Sequence, residues 1–167
     1  MKAIYITLLL ILASINGMAQ TDFLSLKQNF INHRKANKQD SALLVARYMN
    51  QLALKEEGDT SYWYALSMRY IGNPYYTLNK TDSCLEYWHR SLTLFETNHR
   101  NHPDIAMSFN NLGNLYKSLG DYEKAEKYYL QSLEIRQNIY SEDHPDIASS
   151  FNNLGNLYKS LGDYEKA

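Results

Sequence analysis

The stretch HPDIAMSFNNLGNLYKSLGDYEKA, residues 102–125, recurs as HPDIASSFNNLGNLYKSLGDYEKA, residues 144–167. The two copies are 42 residues apart and agree at 23 of 24 positions, differing only in Met107 and Ser149. A period of this length is typical of arrays of small structural units, each unable to bury its own apolar face alone. The repeat therefore predicts a stack of similar units.

Each period predicts two antiparallel helices. Pro103 and Asp104 favour a helix start, because Pro lacks an N–H that the first turn would leave unpaired and Asp suits the positive end of the helix dipole. Gly120 supplies the left-handed residue that ends this helix, and Asp121 can cap the next one. The second helix is expected from about Tyr122 to Tyr140.

The apolar positions of the first helix fall on one stripe at helical spacing. The predicted core residues of this stripe are Ile105, Phe109, Leu112, Tyr116 and Leu119. Gly113 lies beside the stripe and is predicted to allow close approach of another helix. The second helix is apolar on two sides, which indicates contact with its own first helix and with the first helix that follows.

These residues resemble the signature of the tetratricopeptide repeat. The residues that carry the resemblance are Phe109, Leu112, Gly113, Tyr116, Ala125, Tyr129 and Ser132. The 42-residue length, the linker Ser141–Asp146 and the Asn-Asn-Leu-Gly core resemble the longer repeat of kinesin light chains. The resemblance implies an all-α, right-handed α-solenoid of stacked antiparallel helix pairs. It also implies that the concave face, lined by the first helices, binds peptides or partner proteins.

The pattern persists upstream in weaker form, since Cys84–Leu92 aligns with Ala125–Leu133. Helices Asp22–Ala36 and Ser41–Lys55 are expected to form a hairpin, and Pro74 predicts a kink or a helix end at Gly72. The predicted organisation is a signal peptide at 1–19, an N-terminal capping helical hairpin at 20–60, a diverged repeat at 61–101, a repeat at 102–143 and an incomplete repeat at 144–167.

The first residues have the pattern of a secretory signal peptide. Lys2 precedes the apolar run Ala3–Ile15, and Gly17 and Ala19 place small residues before a predicted cleavage after Ala19. The alternative is an uncleaved anchor, but the run is shorter than the roughly 20 apolar residues that span a bilayer. We expect a secreted or periplasmic protein without stable membrane insertion after cleavage.

Composition argues against several classes of function. With 17 basic and 18 acidic residues and no run of like charges, no nucleic-acid partner is expected. Cys84 is the only cysteine and takes the place of a small buried residue. His99 and His102 near Asp104 are too few ligands for a metal, and His102 and His144 are predicted to fix the linker. No catalytic or cofactor motif is present, so the sequence predicts no enzyme, no metal and no cofactor.

Asparagines recur inside the first helix, where Asn is unfavourable because its amide competes with the backbone. One interpretation is that the amides bond between neighbouring helices. The other is that they hold the main chain of an extended peptide, since each amide both donates and accepts. The predicted peptide-binding groove consists of Asn110, Asn114, Lys117, Asn152, Asn156 and Lys159. Asn111 and Asn153 lie nearer the packing side and are predicted to be structural.

The leading hypothesis is a scaffold that binds a protein or an extended peptide in its groove, with Lys117 and Lys159 favouring an acidic ligand. The alternatives are a sensor or recruitment arm of a larger signalling or peptidase protein, with its effector domain beyond residue 167, and a structural spacer. The last predicted helix is expected to lack cover and to permit self-association. The residues expected to be uncovered are Ile147, Phe151, Leu154 and Tyr158. The Met107 and Ser149 difference is predicted to affect the choice of partner.

Overall fold

The computed structural model describes residues 20–99 and 102–162, with side chains described from Phe23 onward. The predicted signal peptide lies outside the described residues. The helices are α1 Gln20–Lys35, α2 Gln39–Glu57, α3 Tyr62–Thr77, α4 Thr81–Asn98, α5 Pro103–Ser118, α6 Tyr122–Ile139 and α7 Pro145–Leu161. No strand is present in the described part of the chain. We call α1, α3, α5 and α7 the A helices, and α2, α4 and α6 the B helices.

Each A helix is followed by a residue in the left-handed region of backbone conformation. These residues are Asn37 (φ 55°), Asn79 (φ 55°), Gly120 (φ 78°) and Gly162 (φ 76°). They are 42, 41 and 42 residues apart in the sequence. Gly and Asn tolerate this conformation better than other residues. The spacing aligns all four A helices position by position, including the helices whose sequences match the repeat poorly.

The helix starts follow the predicted signals. The His102 and His144 side chains each accept a hydrogen bond at 3.2 Å, through Nδ1, from the backbone N–H of Asp104 and of Asp146. Prolines occupy the first turn of both α5 and α7. Asp121 caps α6 by accepting from the backbone N–H of Lys124 at 3.2 Å. The two histidines therefore cap the starts of α5 and α7.

Consecutive helices pack against each other along the chain, and α3 also contacts α5. Gly113 lies under the Tyr129 ring, where an added Cβ would be 2.6 Å from Cδ1, and Gly72 lies under Trp88 in the same way. In the same two pairs Ser91 donates to the Ala65 carbonyl at 2.7 Å. Ser132 donates to the Ala106 carbonyl at 2.8 Å. The helix pairs α3/α4 and α5/α6 therefore pack in the same register, and Gly113 is a packing residue as predicted.

One expectation for the A helices is wrong, and one of the two alternatives at Pro74 is excluded. Leu119 is predicted in the core but is 51% exposed, and its counterpart Leu161 is 49% exposed, so this position at the C-terminal end of the A helix lies outside the packed face in both copies. The helix α3 does not end at Gly72; it continues through Pro74 to Thr77. Pro74 lies in the last turn of α3. It has no backbone N–H to donate within the helix, but any resulting distortion affects only this last turn.

The last helix is better covered than the sequence indicates. Ile147 and Leu154 were expected to lose cover, but they are buried in a cluster with Tyr129 and Leu133 of α6. Arg136 of α6 adds a polar connection. Its Nη1 donates at 2.7 Å to the Asp146 carbonyl and at 2.8 Å to the Ser150 hydroxyl. Phe151, by contrast, is 54% exposed, as expected.

Candidate functional site

The A helices share one face, on which equivalent positions form rows across the stack. The left-handed turn residues fix the alignment, so a residue of α5 has counterparts 41 residues earlier in α3, a further 42 earlier in α1, and 42 later in α7. The first row is Lys27, Arg69, Asn110 and Asn152. The second row is Ile31, Asn73, Asn114 and Asn156. The third row is Arg34, Tyr76, Lys117 and Lys159. We call the surface that these three rows form the A-helix face.

Asn110, in the first row, is half-buried and connects two A helices. Its Oδ1 accepts a hydrogen bond at 2.7 Å from Nδ2 of Asn153 in α7. Asn153 thus takes part in helix stacking, which is the structural role that the sequence indicates for it. The same bond occupies one acceptor position of Asn110 and leaves its amide N–H groups without a partner in the described part of the chain.

Asn114, in the second row, forms a hydrogen bond with α6, the B helix that packs against its own helix α5. The Tyr129 hydroxyl donates to Oδ1 of Asn114 at 2.7 Å. Tyr129 is buried, and the removal of its ring from water raises the pKa of its phenol to about 12. The hydrogen bond fixes the orientation of the Asn114 amide and leaves its two N–H donors without a partner among the described residues. Asn114 is therefore both a packing residue and a candidate peptide donor.

The C-terminal members of the rows are open to solvent. Asn152, Asn156 and Lys159 are exposed, and Lys117 of the preceding A helix is half-buried. Neither exposed asparagine has a side-chain hydrogen bond to a residue that the structure describes. The structure thus brings the six predicted groove residues to one face, at equivalent positions of two A helices.

Sequence reasoning missed the N-terminal half of this face. A recess of about 490 Å³ lies between α1, α3 and α5. Its lining consists of Lys27, Phe30, Ile31, Arg34, Lys35, Arg69, Tyr70, Asn73, Asp104 and Met107. Lys27, Arg69, Ile31, Asn73 and Arg34 belong to the three rows, so the recess continues the surface that carries the asparagines. We call it the basic recess, since four of its lining residues are cationic and one is acidic.

The acidic residue of the basic recess is already paired. Asp104 is a buried carboxylate that forms an ion pair with Nη2 of Arg69, whose side chain is 4% exposed. Asp104 also accepts from the Tyr62 hydroxyl at 2.6 Å. Burial, together with this hydrogen bond to a carboxylate, raises the pKa of Tyr62 well above its usual range. Arg69 and Asp104 therefore hold α3 against α5.

The sequence carries only a weak signal for the basic recess. Asn110 has Arg69 and Lys27 as its counterparts, and Asn114 has Asn73, but these matches lie in helices with little of the repeat signature. The shared left-handed turns make the alignment visible in the structure.

The cysteine and the histidines that could in principle react or bind a metal lie in environments that do not favour either role. Cys84 is completely buried, and burial raises the pKa of its thiol to about 12, which disfavours the reactive thiolate. His102 contacts Asp104, but no cluster of three or more potential metal ligands is found in residues 20–99 and 102–162. The buried small residue that the sequence predicts at Cys84 is confirmed.

The sequence matches a family model described as tetratricopeptide repeat, over residues 64–138 and again over 104–167. These matches together cover more than half of the chain, so the protein belongs to the tetratricopeptide repeat family. No curated protein sequence matches it significantly.

Solved structures with the same fold include BtubC (BKLC) from P. vanneervenii, with 23% identity and a TM-score of 0.77. The match covers 93% of this chain and 63% of BtubC, so the chain spans less than two thirds of that protein. A Podosopora anserina protein with nearly identical TPR-like repeats of the kinesin light chain kind has 14% identity and a TM-score of 0.76, over 90% of this chain and 72% of that one. MamA matches with 15% identity and a TM-score of 0.59, over 86% of this chain and 71% of that one. At these identities the likeness shows the fold alone, an all-α solenoid of stacked helix pairs.

Membership of this family indicates a general type of function. Tetratricopeptide repeat proteins are generally scaffolds without catalytic activity, and their fold generally binds proteins or peptides. Within residues 20–99 and 102–162, no helix has both the length and the apolar character that a bilayer crossing requires.

Proposed function

We propose that this protein is an exported scaffold whose A-helix face holds an extended peptide segment of a partner protein. One observation carries the proposal: Asn110 and Asn114 of α5 recur as Asn152 and Asn156 at equivalent positions of α7, on the same face. An extended peptide presents alternating N–H and C=O groups along its main chain, and a side-chain amide can bond either group. Amides repeated from helix to helix therefore suit main-chain recognition.

The hydrogen-bond partners of these amides show where the proposal is best tested. Asn114 and Asn110 have structural partners, so replacing them changes both packing and binding. Asn152 and Asn156 are exposed and have no side-chain hydrogen bond to the described residues. Changes at these two positions report on ligand binding with the least effect on the fold.

The test begins with a displayed library of random 12-residue peptides, selected on the mature protein. The affinity of a selected peptide is then measured by fluorescence anisotropy for the wild type and for the double variant Asn152→Ala/Asn156→Ala. Because a hydrogen bond contributes about 0.5–1.5 kcal/mol net, loss of two should weaken binding roughly ten- to a hundredfold. The matched control is Asn138→Ala, the same change at an exposed position of the B helix α6.

The control should bind as the wild type does. If the double variant keeps its helical circular dichroism and binds the peptide with unchanged affinity, the A-helix face is not the peptide site. The result is also negative if Asn138→Ala weakens binding as much as the double variant does.

Export is a separate part of the proposal and rests on the apolar run and the small residues before Gln20. Intact-mass spectrometry of secreted or periplasmic material should give a chain that starts at Gln20. A mass that retains Met1–Ala19 would show that the segment is not cleaved.

A further inference from the structure

We propose that the basic recess is a subsite for an acidic side chain of the bound peptide, a glutamate or an aspartate. This inference rests on the proposed function, because the recess is the N-terminal part of the same A-helix face. It adds the side-chain chemistry that the ligand must have and the end of the face at which that chemistry is recognised.

The first support is an uncompensated charge. Lys27, Arg34 and Lys35 line the recess, and none of them forms an ion pair with a described side chain. The one carboxylate in the lining, Asp104, is paired with Arg69. A carboxylate that enters the recess therefore meets three cations that have no counter-charge within the described part of the chain.

The second support is a set of buried polar groups without partners. Nε of Arg34 and Nε of Arg69 are buried and make no hydrogen bond. Asn73 is 8% exposed, and no described residue engages its side-chain amide. Buried donors of this kind are costly unless something pairs with them, and charged donors pair best with carboxylates. The side chain of Arg34 forms one hydrogen bond with a described residue, a long one from Nη2 to the Thr77 hydroxyl at 3.5 Å.

The third support is the size and the lining of the recess. Its volume of about 490 Å³ lies within the range of roughly 300–1,000 Å³ that is usual for ligand pockets, and it exceeds what a single small ion needs. Phe30, Ile31, Tyr70 and Met107 provide apolar walls. Apolar walls lower the local dielectric constant and strengthen the attraction between a carboxylate and a cation.

The fourth support is the change in residue type along the first row. Its two N-terminal members are the cations Lys27 and Arg69, and its two C-terminal members are the neutral amides Asn110 and Asn152. A peptide that lies across the rows therefore meets fixed positive charge at one end and main-chain hydrogen-bonding groups at the other. Along this row the N-terminal end selects for acid, while the amides at the C-terminal end bond the main chain of any sequence.

The probe is a fluorescein-labelled peptide of six Ser-Glu repeats with both ends blocked, compared with the same peptide carrying Gln in place of Glu. Binding to the mature protein is measured by anisotropy at low salt. The Glu peptide should bind about tenfold or more tightly than the Gln peptide, because hydrogen bonds to charged groups are the stronger ones. Arg34→Gln should remove this preference while leaving the affinity for the Gln peptide unchanged.

The matched control is Lys55→Gln, which changes the net charge equally at an exposed position of the B helix α2. It should keep the preference for Glu. Equal losses for Arg34→Gln and Lys55→Gln would mean attraction by overall charge and would overturn the subsite. The urea midpoint of unfolding, measured for each variant, shows whether Arg34→Gln has damaged the fold. If it has, Arg34→Lys takes its place as the test, and this variant should retain most of the preference for the Glu peptide because it keeps the positive charge.

Three further outcomes separate the subsite from its alternatives. If a Gln peptide with a free C-terminal carboxylate binds in an Arg34-dependent way, the recess binds chain ends and the side-chain assignment is wrong. If a twelve-nucleotide dT strand binds as tightly with the same dependence, the recess is a general anion site and the proposal fails. If Arg34→Gln has no effect while Asn152→Ala/Asn156→Ala weakens binding, the subsite is wrong and the proposed function stands; if neither variant matters, both fail.

Discussion

Phe109 and Phe151 occupy the same position in two stretches of identical sequence, yet Phe109 is 4% exposed and Phe151 is 54% exposed. Phe109 of α5 lies between helices on both sides: its ring is 6.0 Å from that of Tyr128 in α6, and it shares a cavity with Glu96 of α4. Phe151 belongs to α7, and no described helix follows α7. In a stacked fold the neighbouring helix therefore decides whether a side chain is core, and local sequence does not.

The largest expected effect comes from this pair. Phe109→Ala should lower the free energy of unfolding by about 3–5 kcal/mol, because it removes a buried ring and leaves a cavity. Phe151→Ala should change it by less than about 0.5 kcal/mol, as exposed substitutions do. Urea unfolding followed by circular dichroism gives both values.

Equal losses at the two positions would break the comparison. A loss at Phe151 that grows with protein concentration would show that a second copy covers α7, which is the self-association that the sequence predicts.

The second effect concerns close packing of the A helices on the B helices. Gly113→Ala should destabilise by about 1–3 kcal/mol, because the added Cβ would lie 2.6 Å from the buried Tyr129 ring. This cost exceeds the gain in helix propensity of about 1 kcal/mol. Gly72→Ala, the same change under Trp88 in α3, should destabilise by a similar amount. Thermal unfolding of both variants measures the two losses, and a stabilised Gly113→Ala would contradict the packing.

The smallest effect concerns the hydrogen bond between α5 and α7. Asn153→Ala should cost about 0.5–1.5 kcal/mol, because Asn153 donates to Asn110 at 2.7 Å. Asn111→Ala, the equivalent change one repeat earlier, should cost nothing or stabilise slightly, since Asn111 has no side-chain hydrogen bond to a described residue. Hydrogen exchange of α7 amides should increase for Asn153→Ala alone. A similar increase for Asn111→Ala would mean that both asparagines stabilise α7 equally, which would contradict a specific role for the Asn153–Asn110 hydrogen bond.

Much of the fold could be predicted from the sequence, because several helix boundaries have a local chemical cause. Pro103, Gly120 and Asp121 mark their helix ends through properties that depend on the residue alone. The predictions of burial that failed did so because burial depends on neighbouring helices and not on local sequence. Leu119 continues the apolar spacing of α5 but lies at its C-terminal end, which no other helix buries, and Ile147 is covered by a helix of the preceding pair.

The candidate site was predictable only in part. The recurring asparagines stand out because Asn is unfavourable inside a helix, whereas Lys27, Arg34 and Arg69 are ordinary residues of a solvated helix surface when read alone. They form a candidate binding site only in the folded structure, where α1, α3 and α5 are stacked and the three cations line one recess. Stacking also shows that Asn114 has a structural partner in Tyr129, which no pattern in the sequence indicates.

Amide chemical-shift mapping of isotope-labelled mature protein shows directly whether ligands bind to the A-helix face. A selected peptide is titrated into the protein while the backbone amide signals of all helices are followed. We expect shifts in α3, α5 and α7, and in α1 when the peptide carries acidic residues, with α2, α4 and α6 unchanged on their exposed sides. Shifts concentrated on the exposed sides of α2, α4 and α6, with the A helices unchanged, would show that the ligand binds elsewhere.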